Sequence, residues 1–103
     1  MENQNLEVIM GLIVHGGNAK SYAMEAIQSA KDQQFEEADK SIGLAKESLV
    51  EAHHTQTGLL TAEAAGDNTE ISLLMVHSQD HLMTSIAFTD LAEELVAIYK
   101  KIA

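Results

Sequence analysis

The sequence predicts an all-α fold, an antiparallel three-helix bundle in a single domain of 103 residues. Composition is the first ground: there is no Pro, no Trp and only six Gly, while Ala, Leu, Ile, Glu and Lys, which favour helix over strand, are abundant. Periodicity is the second, because three long stretches repeat apolar residues at three- and four-residue spacing. Punctuation is the third: two short polar segments interrupt that spacing, and short connections make consecutive helices antiparallel. A domain of this size has a modest core and is marginal when alone.

The first helix is expected over about residues 4–31, where Leu6, Ile9, Ile13, Gly16, Ala23, Ile27 and Ala30 follow the helical alternation and Lys20 is the polar intruder. Gly16-Gly17 marks either a bend or a close approach by another backbone; the apolar period continues on both sides, which favours the close approach. Asp32-Gln33-Gln34 serves as the connection. The second helix, over about 34–64, is the most regular: Phe35, Ala38, Ile42, Ala45, Leu49, Ala52, Gln56 and Leu59 keep an unbroken heptad spacing. Gly66-Asp67-Asn68 is the clearest break. Asp67 followed by Glu70 resembles a capping arrangement for a third helix over about 69–101.

That third helix is apolar on two sides. Leu73, Leu74, His77, Asp80, His81, Thr84, Phe88, Leu91, Leu95 and Ile98 lie within about 60° of His77 at 100° per residue, so a polar triplet interrupts an apolar stripe. Ile71, Met75, Leu82 and Ile86 form a second apolar surface opposite, whereas Thr89, Asp90, Glu93 and Lys100 make the back polar further along. A three-helix chain covers one side of each helix, so the second side implies packing between subunits.

Bulk properties exclude several classes. Zero Cys rules out a disulfide framework, and the start Met-Glu-Asn-Gln lacks a secretory signal, which predicts a cytoplasmic location. No apolar run approaches the roughly 20 residues of a membrane span. A formal charge of −10, with no Arg, disfavours nucleic acid and anionic lipid as partners.

His77, Asp80 and His81, at i, i+3 and i+4, share one helical face within a turn. Three readings compete. They are satisfied structural groups, as an isolated His most often is. Alternatively, His77 and His81 begin a zinc site, whose third ligand would come from His53, His54 or another subunit; adjacent His53 and His54 point about 100° apart and cannot both face one site. The third reading makes His77 a nucleophile, since an imidazole with an ordinary pKa of about 6.5 accepts a phosphoryl group near neutral pH.

The run His77-Ser78-Gln79-Asp80-His81-Leu82-Met83-Thr84, with Glu51-Ala52-His53-His54-Thr55-Gln56-Thr57-Gly58 and Met10-Gly11-Leu12-Ile13 upstream, resembles the IIA component of the lactose/cellobiose class of the sugar phosphotransferase system. The resemblance covers nearly the whole chain. It implies a homotrimer of three-helix chains and a phosphoryl-carrier function, with His77 accepting phosphoryl from HPr and passing it to a Cys of the IIB component. It further implies that Asp80 of three subunits converges on an axis and binds one divalent cation per trimer, for which all-oxygen ligation favours Mg²⁺. With no Arg, charge on the transferring group falls to neutral donors or His: His81, Gln79, Gln56, Ser78 and His53 are the candidates. Gln56, the polar member of the second helix's seam, is readable as a buried hydrogen-bonding group near the site, although a register-fixing residue is the commoner meaning of such a position. A IIA subunit does not touch sugar, so cellobiose, chitobiose and lactose all stay open as cargo. The alternative function is a non-catalytic metal-binding or adaptor bundle.

Overall fold

A computed structural model describes residues 2–67 and 70–103, the side chains of residues 2–5 excepted. It contains α1 (Glu2–Lys31), α2 (Phe35–Ala64) and α3 (Leu73–Ile102), each of 30 residues, and no strand among the described residues. A helix of that length spans about 45 Å, which accounts for most of the 52 Å long axis of a 52 × 21 × 19 Å rod. The helices run up, down and up. α1 packs along both partners, whereas α2 and α3 touch each other less.

Two Schellman motifs make the turns. After α1, Gln34 N–H donates to Ser29 O at 2.8 Å and Gln33 N–H to Ala30 O at 3.0 Å. Gln33 takes the left-handed conformation, φ 61°, that this motif needs at its penultimate residue. After α2, Asp67 N–H donates to Ala62 O at 2.9 Å and Gly66 N–H to Glu63 O at 3.0 Å, with Gly66 at φ 100°. The expected breaks fall where the sequence places them; Asn68 lies outside the described residues.

The start of α3 differs from expectation. Residues 70–72 are not helical, so the helix begins at Leu73 rather than near 69, and Ile71 precedes it. Ser72 is the N-cap: its extended backbone, φ −131° and ψ 166°, lets its hydroxyl accept from Met75 N–H at 3.1 Å. The Asp67/Glu70 capping arrangement is therefore not the one that opens α3.

The core is thin and rich in alanine. Ala19, Ala23, Ala26 and Ala30 of α1 meet Ala38, Ile42, Ala45, Leu49 and Ala52 of α2, and Leu12 and Leu82 are the largest fully buried side chains. Small residues let the helix axes approach closely. The α2 seam matches the expected heptad, but in the first half of α1 it is Leu12 that is fully buried, while Ile13 is half-buried and Leu6 exposed.

On α3 the face turned to the core is Met75, Ser78, Leu82, Ser85, Thr89, Ala92 and Val96. Thr89 is 1% exposed, which corrects its assignment to the polar back. Ser78 Oγ donates to Met75 O and Ser85 Oγ to His81 O, each at 2.7 Å, so these hydroxyls enter the core already satisfied. Thr89 Oγ1 has no partner. Glu93 and Lys100 do lie outward, paired with Lys46 at 2.7 Å and Asp39 at 2.8 Å of α2. Both pairs are exposed and contribute at most about 1 kcal/mol each.

Candidate active site

Helical phase decides where the polar triplet sits. With Met75, Ser78 and Leu82 turned inward, His77 and Asp80 are exposed and His81 is half-buried at the edge of the α1–α3 contact. The same outward stripe carries Leu73, Leu91, Leu95, Ile98 and Ile102, exposed by 86, 64, 40, 54 and 73%. On α1, Leu6, Met10, Val14 and Met24 are exposed as well. So many exposed large apolar side chains on two helices make this face a candidate association surface.

His77 and His81 stack, with ring centroids 6.0 Å apart and planes inclined by 23°. The i, i+4 spacing produces this arrangement, since helical side chains lean towards the turn before them. Behind His81 is the α1 backbone at Gly16, where an added Cβ would come within 3.0 Å of the imidazole Cδ2. Gly16 is thus a close approach, made by the side chains of His81 and Ser85 rather than by the backbone expected; Gly17 has only ordinary contact, and α1 continues through both without a break. His77 is left with an exposed ring and a fixed aromatic neighbour. That combination suits a nucleophile which must meet a macromolecular donor.

The remaining candidates divide by face. Gln79 lies about 200° around the helix from His77, and its Oε1 accepts from Gln56 Nε2 at 2.6 Å. This amide pair ties α2 to α3 beside a mostly apolar cleft of about 140 Å³ lined in part by Leu59, Leu60, Ile71 and Met75. Gln56 is therefore a cross-helix hydrogen-bonding group, and within one chain neither amide reaches His77. Ser78 is removed as a donor: it is fully buried with its hydroxyl committed to Met75 O. His53 lines a cleft with Leu49, Val50 and Ile86; Ile86 is about 180° around α3 from His77, so His53 is on the far side.

Asp80 projects from the outward stripe, one carboxylate per chain. No three His, Asp or Glu side chains come together as a metal site among the described residues. The zinc reading finds no third ligand among the described residues, and a cation at Asp80 requires carboxylates from other copies. The carboxylate is the hard oxygen donor such a shared site would need.

The sequence model of the family described as the lactose/cellobiose-specific IIA subunit of the PTS system matches residues 7–100. The chain belongs to this family. Among its IIA relatives, the lichenan-specific phosphotransferase enzyme IIA component of Bacillus subtilis is 48% identical over 102 residues, covering 99% of this chain and 93% of the relative. The cellobiose-specific EIIA component of Lactococcus lactis is 54% identical over 89 residues, covering 86 and 77%. Solved IIA structures agree. The cellobiose-specific enzyme IIA of Bacillus anthracis superposes with a TM-score of 0.91 at 49% identity, covering 93% of this chain and 88% of that one. The chitobiose IIA of Escherichia coli, solved in complex with HPr, superposes at 0.81 and 38% identity, covering 93% of each chain. As a IIA subunit the chain is a phosphotransferase, a phosphoryl-relay protein, and the adaptor reading falls away. Among the described residues, no helix is long and apolar enough to cross a membrane.

The contact of Gly16 with His81 was not assigned from sequence. Its signal is the glycine pair inside an unbroken apolar period, which announces a close approach but points to a backbone where the structure has the side chains of His81 and Ser85.

Proposed function

We propose that His77 is the phosphoryl acceptor, taking the group from the phosphohistidine of HPr and handing it to a cysteine of the IIB component of a sugar transporter. The observation that carries this reading is the exposed His77 ring held against His81 on an apolar surface. In the first transfer the lone pair of a neutral His77 nitrogen forms the new N–P bond. The donor's N–P bond breaks, and its electron pair returns to the donor ring. In the second, a cysteine thiolate forms an S–P bond and the His77 nitrogen recovers its pair. Such displacements need alignment and stabilisation of the equatorial oxygens more than covalent help. His81 supplies the supporting donor, and Gln79 with Gln56 braces α3 against α2 beneath the site. The chitobiose relative's complex with HPr supports the same donor here.

The apolar stripe of α3 supports a homotrimer in which its leucine and isoleucine side chains are covered by two other copies while His77 stays open at a groove between subunits. Asp80 then lies where three carboxylates converge, and one Mg²⁺ per trimer neutralises them, water completing its oxygen shell. The relay takes place in the cytoplasm, without sugar contact. Relatives named for galactose, cellobiose, lichenan, lactose and chitobiose are 38–55% identical to this chain over the aligned residues, which supports a scaffold tuned to its protein partners; a β-disaccharide is the cargo class we assign.

Incubation of the purified chain with HPr, its phosphoenolpyruvate-dependent kinase and phosphoenolpyruvate is expected to give an acid-labile, base-stable phosphoryl adduct. Absence of the adduct, or its persistence in His77→Ala, would refute the proposal.

A further inference from the structure

The geometry points to Gly16 as a positioning residue for the phosphoryl acceptor, acting through His81. This rests on the reading of His77 given above and adds what sets the ring beside it. A Cβ at position 16 would lie 3.0 Å from His81 Cδ2, 3.3 Å from Ser85 Oγ and 3.6 Å from His81 Nε2. The first two distances are tighter than ordinary contact, and the atom met first belongs to the His81 imidazole, half-buried against α1. That ring stacks on His77 at 6.0 Å, and the carbonyl of its own residue accepts Ser85 Oγ at 2.7 Å.

The crowding is specific to this glycine. An added Cβ at Gly11, Gly43 or Gly58, also inside helices, would meet nothing within 4 Å, and one at Gly17 would meet His81 Nε2 only at an ordinary 3.6 Å. A glycine inside a helix costs roughly 0.5–1 kcal/mol relative to alanine; at position 16 that cost is tied to the space the imidazole occupies. The backbone of α1 bounds the His81 ring on one side and the His77 ring on another. Displacement away from α1 is therefore passed to the acceptor.

A misplacement of about 1 Å at reacting atoms can cost on the order of a hundredfold in rate. The few tenths of an ångström forced by a methyl group correspond to roughly a threefold to tenfold loss. The loss is expected in the labelling rate at saturating HPr, with the half-saturating HPr concentration unchanged, because the docking surface is untouched.

The test is a double-substitution cycle in the full chain, comparing Gly16→Ala, His81→Ala and the double variant, with Gly43→Ala as the control for helix propensity. Labelling rates are read together with helix content, oligomeric state and the imidazole NMR signals of His77. The inference predicts that Gly16→Ala slows labelling and moves the His77 signals, that neither change occurs when it is added to His81→Ala, and that Gly43→Ala labels like the parent. An unchanged rate and unmoved His77 signals in Gly16→Ala overturn it, as does an equal loss in the His81→Ala background. If Gly16→Ala fails to fold, His81→Ala in the same chain restores folding when the ring is the obstacle; a double variant that stays unfolded overturns the inference. The NMR arm does not depend on labelling, so failure of His77 as acceptor, seen as an unlabelled parent, is separable from failure of the Gly16 coupling.

Discussion

Asp80→Leu and Leu91→Asp are expected to move self-association in opposite directions. Both positions belong to the outward stripe of α3, about 20° apart around the helix, and both are exposed in the single chain. Full burial of a leucine contributes about 1.5–3 kcal/mol; with Leu91 64% exposed, covering the remainder is worth about 1–2 kcal/mol per copy, or about 3–6 kcal/mol per trimer. Leu91→Asp forfeits that and adds a carboxylate to be desolvated, so association weakens by at least a hundredfold, each tenfold corresponding to about 1.4 kcal/mol. At Asp80 the argument reverses. Three carboxylates about 5 Å apart repel by roughly 3 kcal/mol per pair at an effective dielectric of about 20, unless a cation intervenes. Replacing them by leucine removes the repulsion and extends the stripe. Sedimentation equilibrium in chelator, repeated with Mg²⁺, reads both effects. Asp80→Leu should remain trimeric without metal, whereas the parent should tighten when Mg²⁺ is added. A monomeric Asp80→Leu, or a Leu91→Asp that associates like the parent, refutes the placement of this stripe at a subunit interface.

Three substitutions probe the chain itself by thermal or denaturant unfolding. Thr89→Val removes a buried hydroxyl without a partner and should stabilise the fold by about 1 kcal/mol; destabilisation would mean that the hydroxyl is satisfied. Gln33→Gly relieves a side chain held at φ 61° and should add about 0.5–1 kcal/mol, with no gain expected if the turn is not of the Schellman type. Ser72→Ala deletes the bond accepted from Met75 N–H and should cost about 1 kcal/mol, whereas Asp67→Ala should not, which separates the observed cap from the expected one.

The parts of the fold legible in the sequence are those where one physical signal acts alone. The α2 seam from Phe35 to Leu59 is an uninterrupted heptad, and the buried run Ala38, Ile42, Ala45, Leu49 and Ala52 follows it. The start of α3 was not legible because Asp67, Asn68, Thr69 and Ser72 are all competent caps; what selects Ser72 is the bond it accepts from Met75, a residue whose side chain is buried. The inward face of α3 was only half legible. Met75 and Leu82 announce it, but Ser78, Ser85 and Thr89 read as polar, and bonds from Ser78 and Ser85 to carbonyls of their own helix remove most of the cost of burying them. Within the site, the shared face of His77, Asp80 and His81 follows from spacing. The separation of Gln79 and Ser78 from that face also follows from 100° per residue, whereas the pairing of Gln79 with Gln56 and the placement of His53 on the far side needed the packing of α2 against α3.

Site-resolved mass spectrometry of the phosphorylated chain, before and after addition of the IIB component, is the most direct measurement of the relay. The expected result is one phosphoryl group on the peptide carrying His77, assigned to its imidazole, and its loss as a cysteine of IIB gains it. A phosphoryl group on His53, His54 or His81 in place of His77, or one that IIB cannot discharge, would contradict the assignment of His77 as the carrier.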